Sequence, residues 1–170
     1  MSGESRRVAL RVSYDGTNYS GWQRQENADS VQAQVEKALR ALTGRTIGVT
    51  GASRTDAGVH ALGQTVHFDN PSNIPAERFC FALNTRLPED IRVTASCAVP
   101  EDFHARFSAK GKTYRYLINN SAHGTAIYRN LMAHVPRPLD AERMDAAAKA
   151  VIGEHDFAAF AAAGSVAKTT

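Results

Sequence analysis

"RVALRVSYDG", residues 7–16, decides how the rest of the chain is read. Val8, Leu10 and Val12 alternate with Arg7, Arg11 and Ser13, the period of a strand with one face buried and one wet. Asp15-Gly16 closes it as a turn. Outward from there, "TNYSGWQRQENAD" (17–29) has turn formers, amides and aromatics with no clear period, and reads as an irregular stretch with its aromatics exposed. "SVQAQVEKALRALTG" (30–44) then puts Val31, Val35, Ala38, Leu39 and Leu42 on one helical face, with Ser30 as N-cap and Gly44 as the stop. Residues 45–50 read as a second strand and 64–69 as a third, ended by Asn70-Pro71. "PAERFCFALNTRLPED" (75–90) has Pro75 at a helix start, Pro88 beyond its end, and Phe79, Leu83 and Leu87 at helical spacing. "IRVTASCAV" (91–99) is a fourth strand.

The order strand, helix, strand, strand, helix, strand predicts an α+β fold, a ferredoxin-like antiparallel sheet with two helices on one face. The other sheet face is left bare, and must bind something or be covered. RNA-recognition modules share this order, but the stacking aromatics of their strands are missing here. A second unit is expected over residues 106–170, after a first over 1–105. In it "KTYRYLIN" (112–119) reads as a strand and "LDAERMDAAAKAVIG" (139–153) as a helix turning Met144, Ala147, Ala148 and Val151 toward a core. If it repeats the first unit, it stops incomplete.

Composition narrows the function classes. With 170 residues, 43% of them hydrophobic, the chain is globular, and no apolar run approaches the ~18 residues of a membrane span. The N-terminus lacks the apolar core of a secretory signal. Cys80 and Cys97 belong to no CxxC or Cys/His grouping and read as buried reduced thiols, consistent with cytoplasm. The net charge is +3, and its placement says more than its size. From Phe103 to Leu139 there is no Asp or Glu, but there are Arg106, Lys110, Lys112, Arg115, Arg129 and Arg137. Such a window attracts polyanions, or is simply a solvated basic surface.

Between the second and third strands lies "GASRTDAGVHALGQ" (51–64), longer than a hairpin connection needs. Asp56 in "TDAG" is open to two readings. Its carboxylate could cap a turn, with Gly58 at positive φ. Alternatively, Arg54 two residues away keeps it ionised as a nucleophile, in a loop bare enough for a flat substrate to approach. Rival chemistries are poorly supplied: there is no GxSxG, no phosphate-binding glycine loop and no HExxH. His60 and His67 read as hydrogen-bonding histidines rather than metal ligands, and no metal or cofactor is expected.

The sequence then becomes recognisable. "SRTDAGVHALGQTVHF" closely resembles the catalytic motif of the TruA-type tRNA pseudouridine synthases. "YDGTNYSGWQRQ" resembles their N-terminal motif and "DFHARFSAKGKTYRY" the stretch that carries their active-site tyrosine. "LNTRLPEDIRV" and "GEHDFAAF" resemble the same family, so the likeness spans about residues 8–169. It implies an isomerase that converts uridine to pseudouridine at positions 38, 39 and 40 of the tRNA anticodon stem-loop, without cofactor and as a homodimer. By position, Asp56 matches the catalytic aspartate, attacking either C6 of the base or C1′ of the ribose. Arg54 matches the arginine that pairs with it and helps displace the nucleotide, and Tyr114 the tyrosine that packs on the flipped base.

Elementary physics fits those roles. A stacked uridine must be extruded, at a cost of a few kcal/mol, and aromatic stacking returns about 1–3 kcal/mol. Taken without the resemblance, Tyr114 in a strand would be placed in the core, and Tyr116 shares its parity. Arg24, Arg106, Lys110, Lys112 and Arg115 are the candidate phosphate contacts, which set register more than sequence. Family members continue past this chain with a further arginine-bearing segment, so a C-terminally incomplete chain of weak or no activity is expected. Two other readings remain: an RNA-binding fragment without catalysis, and a ferredoxin-like enzyme acting on a small anion.

Overall fold

Strand β1 (Arg7–Tyr14) forms with the expected alternation: Val8, Leu10 and Val12 are buried and Arg11 is exposed. The helix α1 (Val31–Thr43) follows, capped by Ser30, whose Oγ accepts from the Ala33 amide at 3.3 Å. Gly44 closes it at φ +71°, donating back to the Arg40 carbonyl. Ser30 is fully buried, so its hydroxyl satisfies one orphan N–H that water does not reach. Ser30→Ala should therefore lower stability by about 1 kcal/mol, read by urea unfolding.

Strands β2 (Thr50–Gly51), β3 (Ala61–Asp69) and β4 (Ile91–Ala98) complete an antiparallel sheet of order β2-β3-β1-β4. A 3₁₀ turn (Ala76–Arg78) leads into α2 (Phe79–Asn84). With helices between β1 and β2 and between β3 and β4, this is the ferredoxin-like arrangement. One core holds Val8, Leu10, Val12, Val66, Phe68, Ile91 and Val93 from the sheet with Val35 and Leu39 of α1 and Phe79 and Leu83 of α2. Phe68 and Phe79 meet edge to face at 5.0 Å.

Four expectations for this unit need correction. The second strand is two residues long rather than six. Ile47 and Val49 are buried, but the Val49 amide donates to Glu36 Oε1 and its carbonyl accepts from Gln32 Nε2, each at 3.1 Å. Side chains of α1 thus occupy backbone groups that a strand would need. The third strand starts at Ala61, three residues earlier than expected, which shortens the loop. Tyr19 and Trp22 are buried, not exposed. Trp22 packs 6.1 Å from Tyr14, and the Tyr19 hydroxyl donates to Asp90 at 2.6 Å. Aperiodic sequence here means irregular backbone, not surface. The thiols are also less buried than expected: Cys80 is half-buried and Cys97 exposed.

The second sheet face is partly covered. Ala9, His67 and Ala105 are buried there, the Ala105 amide donating to His67 Nδ1 at 3.1 Å. Arg7 holds the preceding chain, donating to the Glu101 and Phe103 carbonyls while forming two bonds to Asp69 at 2.8 and 3.1 Å. Burial, then the nearby His104 and Arg7 charges, push the His67 imidazole below its ordinary range, with Asp69 opposing. The unfolded chain therefore takes up this proton at a higher pH than the folded one. Stability should fall as pH drops below about 6.5, in a denaturation series, and His67→Gln should flatten that segment.

The structure, a computed structural model, describes residues 7–160, in two units that meet in sequence at Arg115 and Tyr116. In the second, β5 (Ile118–Asn119) pairs in parallel with β6 (Ala133–His134), and α3 spans Ala141–Lys149. The expected strand over 112–119 is reduced to its last two residues. Met144 and Val151 are 45% and 48% exposed, and no residue of α3 is buried, because two-residue strands offer no sheet face to cover it. The tail 161–170 lies outside the described residues.

Candidate active site

The loop from Ala52 to His60 is built against a segment far from it in sequence. The Trp22 amide donates to the Thr55 carbonyl at 3.0 Å and the Gly58 amide to the Tyr19 carbonyl at 3.2 Å. Residues 21 and 22 in turn accept from the Val31 and Gln32 amides at the start of α1. Residues 16–22 are thus a spacer between α1 and the loop, and the spacer admits no side chain at two points. A Cβ on Gly16 would lie 2.1 Å from the Val59 carbonyl oxygen, and one on Gly21 (φ +91°) 2.3 Å from that of Thr55. The length and bareness of the loop follow: it lies backbone to backbone on its support.

Side chains fix the rest. The Tyr14 hydroxyl bonds Thr55 Oγ1 at 2.8 Å, and buried Gln64 donates from Nε2 to the Ser53 carbonyl. Burial pushes the Tyr14 phenol up, the Thr55 bond opposes, and the nearby Tyr114 adds slightly. His60 Nδ1 sits between the Gly16 amide (3.1 Å) and Asp15 Oδ1 (3.0 Å). Asp15 is held below the usual carboxylate range, first by the Thr17 hydroxyl and amide, with His60 a smaller influence. Both loop-region histidines, His60 and His67, therefore make ordinary hydrogen bonds.

Asp56 stands at the exposed crest. The turn there is made by main chain, Val59 N–H to the Asp56 carbonyl at 3.2 Å, with Gly58 at φ +77°. Among the described residues the Asp56 carboxylate takes part in no hydrogen bond and no ion pair, so it is not the cap of its own turn. It lines an open cleft of about 280 Å³ with Arg54, Thr55 and Ala57 on one side and Ser20, Gln23 and Gln25 on the other. The close ion pair expected between Arg54 and Asp56 is not formed within 4.0 Å. Both side chains are exposed, where water competes and a pair is worth little. The cleft is polar, carrying one anion, one cation and two amides.

Tyr114 is 70% exposed and Tyr116 81%, so neither belongs to a core. The Tyr114 hydroxyl reaches Ser53 Oγ at 3.3 Å, which brings its phenol to the residue next to Arg54. The cationic candidates divide. Arg24 is paired with Glu36 of α1 at 3.0 Å and does not line the cleft. Arg106 lies 5.9 Å over the Phe107 ring. Lys110, Lys112 and Arg115 are exposed and have no ion pair among the described residues. Gln23, Gln25 and Ser53 were missed as site residues. The amides stood in plain view within "GWQRQ", but nothing in their spacing aimed them at the loop.

A family model described as tRNA pseudouridine synthase matches residues 11–108. The chain is 53% identical over 165 residues to tRNA pseudouridine synthase A of Ruminiclostridium cellulolyticum, covering 97% of this chain and 67% of that protein. It is 53% identical to that of Acetivibrio thermocellus, over 97% and 68%. To that of Hydrogenovibrio crunogenus it is 48% identical, over 92% of this chain and 60% of that protein.

Proposed function

The chain belongs to the tRNA pseudouridine synthase family, and from that premise we propose that it isomerises uridine to pseudouridine in the anticodon stem-loop of tRNA, at positions 38 to 40, with Asp56 as nucleophile. The observation that carries the residue assignment is the Asp56 carboxylate: exposed in a cleft, bound to nothing among the described residues, on a loop fixed from three sides. A structural aspartate would be spending its oxygens on backbone amides.

In this reading the uridine swings out of the stem into the cleft beside Asp56. The phenol of Tyr114 stacks on it and offsets part of the unstacking cost. Asp56 attacks C6 or C1′. The N1–C1′ bond breaks, the freed base turns, C5 bonds to C1′, and the bond to Asp56 breaks to restore its carboxylate. C5 loses its proton and N1 regains one, so no redox partner or second substrate is needed. Arg54, free of a close ion pair, reaches the phosphate flanking the extruded nucleotide as well as it reaches Asp56. Lys110, Lys112 and Arg115 follow the backbone of the stem. The homodimer implied by the family resemblance belongs to the same proposal.

Incubating the chain, which spans 67% of the length of its Ruminiclostridium cellulolyticum relative, with a tRNA bearing uridine at 38, 39 or 40 should yield pseudouridine there at a low rate, read by carbodiimide adduct mapping. Binding should weaken steeply with salt, log K falling by about 0.9 per phosphate contacted for each tenfold rise in salt. Tight, salt-dependent binding without conversion would instead mark an RNA binder. Absence of salt-dependent tRNA affinity would overturn both.

A further inference from the structure

Residues 109–115 carry Tyr114 together with Lys110, Lys112 and Arg115, and they form no helix or strand. Among the described residues they make a single hydrogen bond, between the Tyr114 hydroxyl and Ser53 Oγ. The Ser53 hydroxyl is the one polar anchor of the tyrosine among the described residues. That hydroxyl is itself well placed: the Ser53 carbonyl is held by Gln64 of β3, and the neighbouring Thr55 by Tyr14 of β1. Ser53 faces out from a rigid edge, and the segment bearing the tyrosine ties down onto it.

Resting on the assignment of Tyr114 as the base-stacking residue, we infer that Ser53 is a positioning residue that docks the Tyr114 segment over the cleft. In the docked state the phenol hydroxyl stands at Ser53, the residue before Arg54, at the margin of the cleft that Arg54 and Asp56 line. Undocked, it has no other polar anchor, and the extruded base loses its platform. Ser53 never touches the reacting atoms. It sets the fraction of time for which the pocket is complete.

The test uses the chain with an anticodon stem-loop RNA carrying 2-aminopurine directly 3′ of the target uridine, whose fluorescence rises when its neighbour leaves the stack. Ser53→Ala should lower the extruded fraction at equilibrium roughly three- to tenfold, the range of one exposed hydrogen bond. Tyr114→Phe should do the same, since the ring stays and the hydroxyl goes. Ser53→Ala/Tyr114→Phe should be no worse than either single change, and Ser53→Thr should restore extrusion. Single effects that multiply in the double variant, no effect of Ser53→Ala, or no rescue by threonine would overturn the docking role. A failure of the functional reading looks different: the unaltered chain would give no fluorescence rise on binding RNA, or Tyr114→Ala would leave the rise intact. Asp56→Ala separates the two further, because it should stop conversion and leave extrusion unchanged.

Discussion

Asp56→Ala should abolish pseudouridine formation, lowering kcat/KM by at least about 10³-fold, and Asp56→Asn should do the same. The expectation rests on chemistry rather than packing. The carboxylate is exposed and accepts no hydrogen bond among the described residues, so removing it leaves no buried donor unsatisfied. Stability should stay within about 0.5 kcal/mol of the parent, as for an ordinary surface change. Affinity for tRNA should hold or rise slightly, since a negative charge leaves a cleft that faces phosphates. Loss of turnover with retained fold and retained binding is the signature of a nucleophile. Conversion by Asp56→Ala at a rate near the parent's would remove Asp56 from the mechanism.

Gly21→Ala should cost roughly 2–4 kcal/mol of stability and an even larger share of activity. Two penalties add. At φ +91° an L side chain is strained, and its Cβ would sit 2.3 Å from the Thr55 carbonyl oxygen, a backbone atom that no rotamer change can move aside. Relief requires the loop to lift, which breaks the Trp22–Thr55 bond and carries Asp56 with it. Gly44→Ala is the informative control. Gly44 is also left-handed, at φ +71°, but nothing lies within 4 Å of where an alanine methyl would stand, so only the conformational penalty of about 1–2 kcal/mol applies. Calorimetry on both variants separates strain from collision. Equal melting temperatures for the two would show that the loop yields freely.

What could be foreseen depended on periodicity. Val8, Leu10 and Val12 announced β1, and Val31, Val35, Ala38 and Leu39 announced α1, because one face of each had to be apolar. Ser30 and Gly44 marked the helix ends through their own local chemistry. Where backbone groups are satisfied by side chains instead of a neighbouring strand, as at Val49 with Gln32 and Glu36, an apolar run looked like a longer strand than it is. Tyr19 and Trp22 misled for the converse reason: they are buried in an aperiodic segment whose shape comes from contacts with residues some 35 positions away. Asp56 and Arg54 drew attention by their unusual loop, yet that they would stand apart was not visible, since hydration decides it. Gln23, Gln25 and Ser53 became visible only when two distant segments were brought together.

That meeting has a temporal side. The spacer at Gly16–Trp22 needs α1 behind it and the loop in front of it, so no short stretch of this polypeptide can shape the acid's surroundings by itself. On the ribosome, the first fifty residues would emerge with the supporting surface but nothing to support. The loop would take its shape only once β3 had paired with β1, and the Tyr114 segment would join it later still.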